Sequence, residues 1–170
     1  VKLKYQEAYP KIMKNTSGTF AFIRNLTGAA GIFIGFFFGF SGEPGFAVEV
    51  VAVMAVGIVG FIAFVSHVIF SRSDAERLGW GTDHPYWQYE VGFANLSLAV
   101  VTFVTWIAGW GIRVLAVLIL CFAVYLLQSG FLHGWQSLKE QDGKRLGRAI
   151  QTIFFSIVMI GFGFMGIVSG

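Results

Sequence analysis

The sequence predicts an all-α membrane protein: a bundle of five transmembrane helices with the amino terminus in the cytoplasm and the carboxyl terminus outside. Three observations lead there. Only 12% of the 170 residues are charged while 56% are hydrophobic, and the mean hydropathy is +0.72. A soluble domain needs about 25% charged residues to cover its surface, so lipid is the expected solvent for most of this one. The apolar residues gather into five runs, each close to the ~20 residues that one crossing requires. Every Lys and Arg except Arg113 falls in the amino-terminal segment, at Arg24, or in alternate connections, which is the asymmetry of the positive-inside rule.

Residues 1–19 carry Lys2, Lys4, Lys11 and Lys14 with Tyr5 and Tyr9 between them, and read as a basic arm lying at the headgroup level. Residues 20–170 read as a single five-helix domain. The first run, about residues 20–40, is interrupted only by Arg24 and Asn25, which are expected to snorkel to the interface. It is too long for a signal-peptide core of about 7–15 residues and reads as a retained span. Gly31, Gly35 and Gly39 recur every four residues and so share a helix face. That face suits either packing within the subunit or self-association.

Ser41 to Gly45 supplies a turn, and the second run covers about residues 46–70. Arg72 and Arg77 then mark a return to the cytoplasm. The third run spans about residues 86–108, with Trp106 and Trp110 as an aromatic belt at the far interface. A tight turn at Gly109 and Gly111 leads into the fourth run, about residues 112–135. A polar loop with Lys139, Lys144, Arg145 and Arg148 precedes the fifth, about residues 149–168. The basic residues flank spans and do not form one patch, so the pI of 9.2 is no sign of nucleic-acid binding. Cys121 is a lone cysteine in an apolar run and founds neither a disulfide nor a thiolate metal motif.

With this topology His67, Gln88, Glu90, Asn95, Tyr125, Gln128, Ser129 and His133 all fall in the cytoplasmic third, with His84 in the loop beside them. Polar groups are costly in hydrocarbon unless they face the bundle interior or a wet cavity. The expectation is therefore a polar pocket there, with the third helix central. Its stripes Glu90/Ala94/Ser97 and Asn95/Ala99/Thr102 are both expected to be packed upon. Glu90 stands out as a proton carrier or cation ligand, weighed against a role as acceptor or helix cap at the membrane surface. His67 and His133, on helices that run in the same direction, would suit a haem or pigment, or a metal together with Glu90. No flanking motif supports ligation, so interfacial hydrogen bonding is preferred and neither cofactor nor metal is expected. On the outer side Glu49 and Arg113 sit at matched depth and are expected to form an ion pair. Gly161, Gly163 and Gly166 match G-x-G-x-x-G, but inside an apolar span with no helix start to hold a phosphate.

The segment Gly79-Trp80-Gly81, Pro85, Gln88 and Glu90-Val91-Gly92-Phe93-Ala94-Asn95-Leu96 resembles a family of small prokaryotic multi-pass membrane proteins known only as a domain of unknown function. Trp87-Gln88-Tyr89-Glu90 takes the place of the F-Q-x-E that opens the family's helix, and His133 that of a histidine closing a later one. The resemblance runs from the second span to the end. It implies a helical membrane fold and brings no activity.

No catalytic motif is present, so the expected function is non-catalytic: a homo-oligomer or an accessory subunit of a membrane complex in the cell (inner) membrane, in contact with lipids. The alternatives are a small channel or transporter for protons, cations or a small solute through the polar pocket, and a haem- or pigment-binding subunit.

Overall fold

A computed structural model describes residues 11–78 and 86–170. Its helices are α1 (Lys11–Phe40), α2 (Pro44–Ile69), α3 (Ser71–Leu78), α4 (Tyr86–Ile107), α5 (Ile112–Glu140) and α6 (Gly143–Ser169). Among the described residues five stretches are long and apolar enough to cross a membrane: Thr16–Phe40, Pro44–Ile69, Tyr86–Ile107, Ile112–Glu140 and Gly143–Ser169. The helix α1 runs unbroken through residues 11–19, which the sequence reading assigns to the arm. Residues 1–10 of that arm lie outside the described residues. So does the loop of residues 79–85, with Gly79, Trp80, Gly81, His84 and Pro85.

Each reversal has a local cause. Between α1 and α2 Gly42 takes a φ of +85°, a conformation that favours glycine, and Pro44 opens α2 where its missing N–H costs nothing. Gly109 (φ +64°) and Gly111 (φ +99°) make the turn between α4 and α5. The helix α5 ends on Gln141 in the left-handed region, and Asp142 starts α6 by accepting the backbone N–H groups of Lys144 and Arg145, both at 3.0 Å.

The centre of the bundle is α2, where the sequence predicts the third span. Of its most apolar stretch 50% is buried, against 28% for α4. The reason is side-chain size. Ala47, Val48, Val51, Ala52, Ala55, Val56, Gly57, Gly60 and Ala63 leave little bulk on any side, so neighbouring backbones approach from several directions. With Ile119, Phe122, Met159 and Phe162 from α5 and α6 they form the core. Two segments of α2, Ala52–Ile58 and Val65–Ile69, widen into π-helical turns.

Only one face of α4 is packed on α2. Gly92, Asn95, Ala99, Thr102 and Thr105 are buried there, whereas Glu90, Ala94 and Ser97 are exposed. The hydroxyl of Ser97 donates to Phe93 O of its own helix at 2.9 Å, which satisfies it without any neighbour. Gly31 and Gly35 meet α2. A Cβ on Gly31 would stand 2.7 Å from Met54 Cβ, and one on Gly35 2.5 Å from Val51 Cγ2. A Cβ on Gly39 would stand 3.4 Å from Met165 Cε of α6. The glycine face is thus occupied within the chain. Gly163 and Gly166 have the same task, admitting Leu120 and Ala116 of α5 to within 2.5 and 2.7 Å of a would-be Cβ. Large apolar side chains such as Phe33, Phe40, Ile107, Phe154 and Phe164 point outward, as a lipid-facing surface requires.

The expected ion pair between Glu49 and Arg113 is not among the pairs formed by the described residues. Glu49 is half-buried on α2, whereas Arg113 is exposed on the first turn of α5 with its stem against Gly170. Matched depth does not bring two side chains to one side of a bundle.

Candidate functional site

A cavity of ≈ 840 Å³ lies between α1, α2, α4, α5 and α6, with Arg77 and Leu78 of α3 at its edge. Helical periodicity builds its walls. On α1 Ala21, Arg24, Asn25, Gly28, Ile32 and Phe36 recur at three- and four-residue steps. On α2 the contributing residues are Val59, Ala63 and His67, and on α4 Trp87, Val91 and Asn95. The helix α5 adds Phe122, Tyr125, Gln128, Ser129 and His133, and α6 adds Arg145, Arg148, Thr152, Phe155 and Val158.

The wall has two ends. The amino-terminal halves of α1, α4 and α6 and the carboxyl-terminal halves of α2 and α5 meet at one end and supply nearly all its polar groups. Arg24, Arg77, Arg145 and Arg148 line it with His67 and His133, and among the described residues neither Asp nor Glu does. Away from that end the walls are Phe33, Phe36, Phe122, Phe155 and Val158.

The arginines differ in how they are held. Arg77 Nη2 donates to Asp74 Oδ1 at 2.6 Å, yet its buried Nε meets no acceptor among the described residues. Arg145 pairs with Glu140, and its Nε is 3.6 Å from Asp142 Oδ2, too far for a hydrogen bond. Arg24 and Arg148 have no carboxylate partner among the described residues. Arg24 is half-buried, 13 residues after the first described residue of α1. Its side chain lines the cavity.

Behind the wall Asp74 of α3 is fully buried and ties down two lining groups. Its Oδ2 lies 2.9 Å from His67 Nδ1, and Arg77 holds Oδ1. Burial alone would raise the Asp74 carboxyl, but hydrogen bonds and charge from His67 and Arg77 outweigh it and hold the group below the usual carboxylate range. Ser17 Oγ donates to Ser73 O at 3.1 Å, and Phe20 stacks on Phe70, so α1 and α3 are fastened together at the same end.

Of the residues the sequence analysis groups in a pocket, His67, Asn95, Tyr125, Gln128, Ser129 and His133 line this cavity. Asn95 Nδ2 donates to Val91 O at 2.7 Å and lies 3.4 Å from the Tyr125 hydroxyl. Gln88 is buried but spent elsewhere, donating to Ser71 O at 3.0 Å. Glu90 is exposed and outside the cavity. Sequence reasoning misses the arginines, which it treats as snorkelling or topology signals, and it misses Asp74. A signal for Asp74 does exist: Ser71-x-x-Asp74 ahead of Glu76 and Arg77 has the spacing of a helix start in the connection after α2. On α6 Arg145, Arg148 and Thr152 share a face by their spacing.

A family model described as a family of unknown function (DUF6790) matches residues 45–169. No curated protein and no solved structure matches the chain.

Proposed function

This chain belongs to that family of unknown function, and we propose that it is a non-catalytic multi-pass membrane protein that binds an anion at the basic end of its cavity. One observation carries the reading: guanidinium groups from α1, α3 and α6 line a cavity to which no carboxylate contributes among the described residues, and among those residues two of the four have no carboxylate partner. Charged side chains within a span are costly and persist where they meet a partner or a ligand. Arginine is suited to oxyanions because its planar fork donates two parallel hydrogen bonds.

The positive-inside rule puts this end in the cytoplasm of a cell membrane, with the carboxyl-terminal end of α6 outside. The same charges repel protons and metal cations, and Glu90, the expected carrier, is exposed outside the cavity, so cation transport is not the reading adopted. An accessory or self-associating subunit loses the support of the glycine face, which is filled by the chain itself.

The test uses the protein in phosphatidylcholine nanodiscs, titrated with inorganic phosphate and pyrophosphate at constant ionic strength and followed by calorimetry. A hydrogen bond to a charged group is worth about 1.5–3 kcal/mol. The double variant Arg24→Gln, Arg148→Gln should therefore bind at least about tenfold more weakly while keeping its helical circular dichroism. Parent protein that binds neither anion, or a variant that binds both equally well, refutes the reading.

A further inference from the structure

We infer that the ligand of this cavity is an amphiphile, an apolar chain carrying a phosphate-monoester head. The inference rests on the anion-binding reading and deepens it. A small free anion needs only the basic end. This cavity continues from Arg24 along Phe33, Phe36, Phe122 and Phe155, a surface with nothing to offer a hydrated ion. Two of its lining residues, Phe33 and Phe154, are 75% and 69% exposed on the outer face of the bundle. The apolar limb therefore opens sideways at the level of the lipid chains.

The opening follows from how α1 is held. It packs chiefly on α2, and it meets α6 through aromatic rings, with Phe155 against Gly28 and Phe162 against Gly35. Phe155 and Gly28 both line the cavity, so its apolar limb runs along this seam. The head is specified by charge. Arg77 pairs with Asp74, and Arg145 with Glu140 and Asp142, whereas Arg24 and Arg148 form no ion pair among the described residues. A phosphate monoester carries about −1.5 to −2 near neutral pH, a charge suited to a wall that holds both of these guanidinium groups. Arg24 shares the lining with Gly28, Ile32, Phe33 and Phe36 of its own helix, so a head held there has an apolar path for its chain beside it.

Such a ligand has two sources, a lipid resident in the bilayer or a water-soluble alkyl phosphate. Protein in phosphatidylcholine nanodiscs is titrated with inorganic phosphate, dodecyl phosphate and dodecanol. Dodecyl phosphate should bind at least tenfold more tightly than either of the others. Ala29→Trp, which fills the limb from an exposed position on α1, should abolish that gain and leave inorganic phosphate unchanged. Partition into the bilayer is common to parent and variant and cannot mimic the difference. Independently of any variant, a diazirine at the chain end should label α5 near the buried Phe122 or α6 near Phe155. Labelling confined to the outward-facing Phe33, Phe154 and Phe164 overturns the inference.

Displacement by phosphatidic acid added to the bilayer assigns the ligand to the membrane, and displacement by hexyl phosphate alone assigns it to water. If neither displaces dodecyl phosphate, the inference falls. If inorganic phosphate binds as tightly as dodecyl phosphate, the amphiphile is refuted and the anion reading stands. If neither phosphate binds, both are refuted.

Discussion

His67 Nδ1 stands 2.9 Å from Asp74 Oδ2, and this contact joins the last π-helical turn of α2 to the short helix α3. The α-helical ladder breaks at Phe70, whose φ and ψ are −107° and 28°. The chain resumes as α3 with Asp74 N–H on Phe70 O at 2.9 Å. The break turns Asp74 back toward the bundle, so that one buried carboxylate orients His67 and Arg77 at the cavity wall. A π-turn in a helix frequently marks a functional position.

Removing that carboxylate is expected to be costly. Asp74→Asn leaves Arg77 uncompensated beside His67, and breaking a buried pair from one side typically costs about 3–5 kcal/mol. Arg77 retains some access to solvent, so the lower end is expected. The sign of the pH effect follows from the depressed carboxyl. Its contribution is complete above the ordinary value of 3.8 and is lost as pH falls below it through the lower folded value. Thermal unfolding in detergent at neutral pH and on descending into that window should show the acid-dependent loss in the parent and not in the variant. Equal melting of the two at neutral pH would remove the pair from the account.

The glycines of α1 should not respond alike. Gly35→Ala drives a methyl group to 2.5 Å from Val51 Cγ2, a branched side chain with little room to turn. Overpacking of this kind costs about 1–3 kcal/mol. Gly39→Ala meets only the flexible end of Met165 at 3.4 Å and should change stability by less than about 0.5 kcal/mol. Melting temperatures of the pair in one detergent decide it, and equal destabilisation would place the α1–α2 contact elsewhere.

Asp142 caps α6, and its carboxyl lies below the usual range chiefly because the Arg145 backbone N–H, and then that of Lys144, donates to it. Asp142→Ala should speed amide exchange at Lys144 and Arg145 and leave the interior of α6 protected. In the parent the cap is complete above the ordinary carboxyl value of 3.8 and weakens as pH falls through the depressed one. Unchanged exchange at those two amides would show that the cap contributes nothing.

Orientation is open to direct labelling. In a Cys121→Ser background, Gln141→Cys and Ala108→Cys place thiols at exposed positions on opposite ends of the bundle. A membrane-impermeant maleimide should label Ala108→Cys in intact cells and Gln141→Cys only after permeabilisation. The reverse pattern inverts the protein, and labelling of both from one side removes a crossing.

The helices were legible in the sequence because a crossing must be both long and apolar, which a one-dimensional window detects. The turns at Gly42, Gly109 and Gly111 were legible because few other residues adopt their φ values. So was the polar content of one end, since His67, Asn95, Tyr125, Gln128, Ser129 and His133 share a level along the membrane normal. Level is all that a topology assigns. Rotation of each helix about its own axis decided the rest: it left Glu90 outside, sent Glu49 and Arg113 apart, and turned Arg24 and Arg148 inward. That rotation is set by which faces let backbones approach, the small residues of α2 against Gly31 and Gly35 on one side and Gly92, Asn95 and Ala99 on the other. It is a property of pairs of helices and cannot be read from either alone.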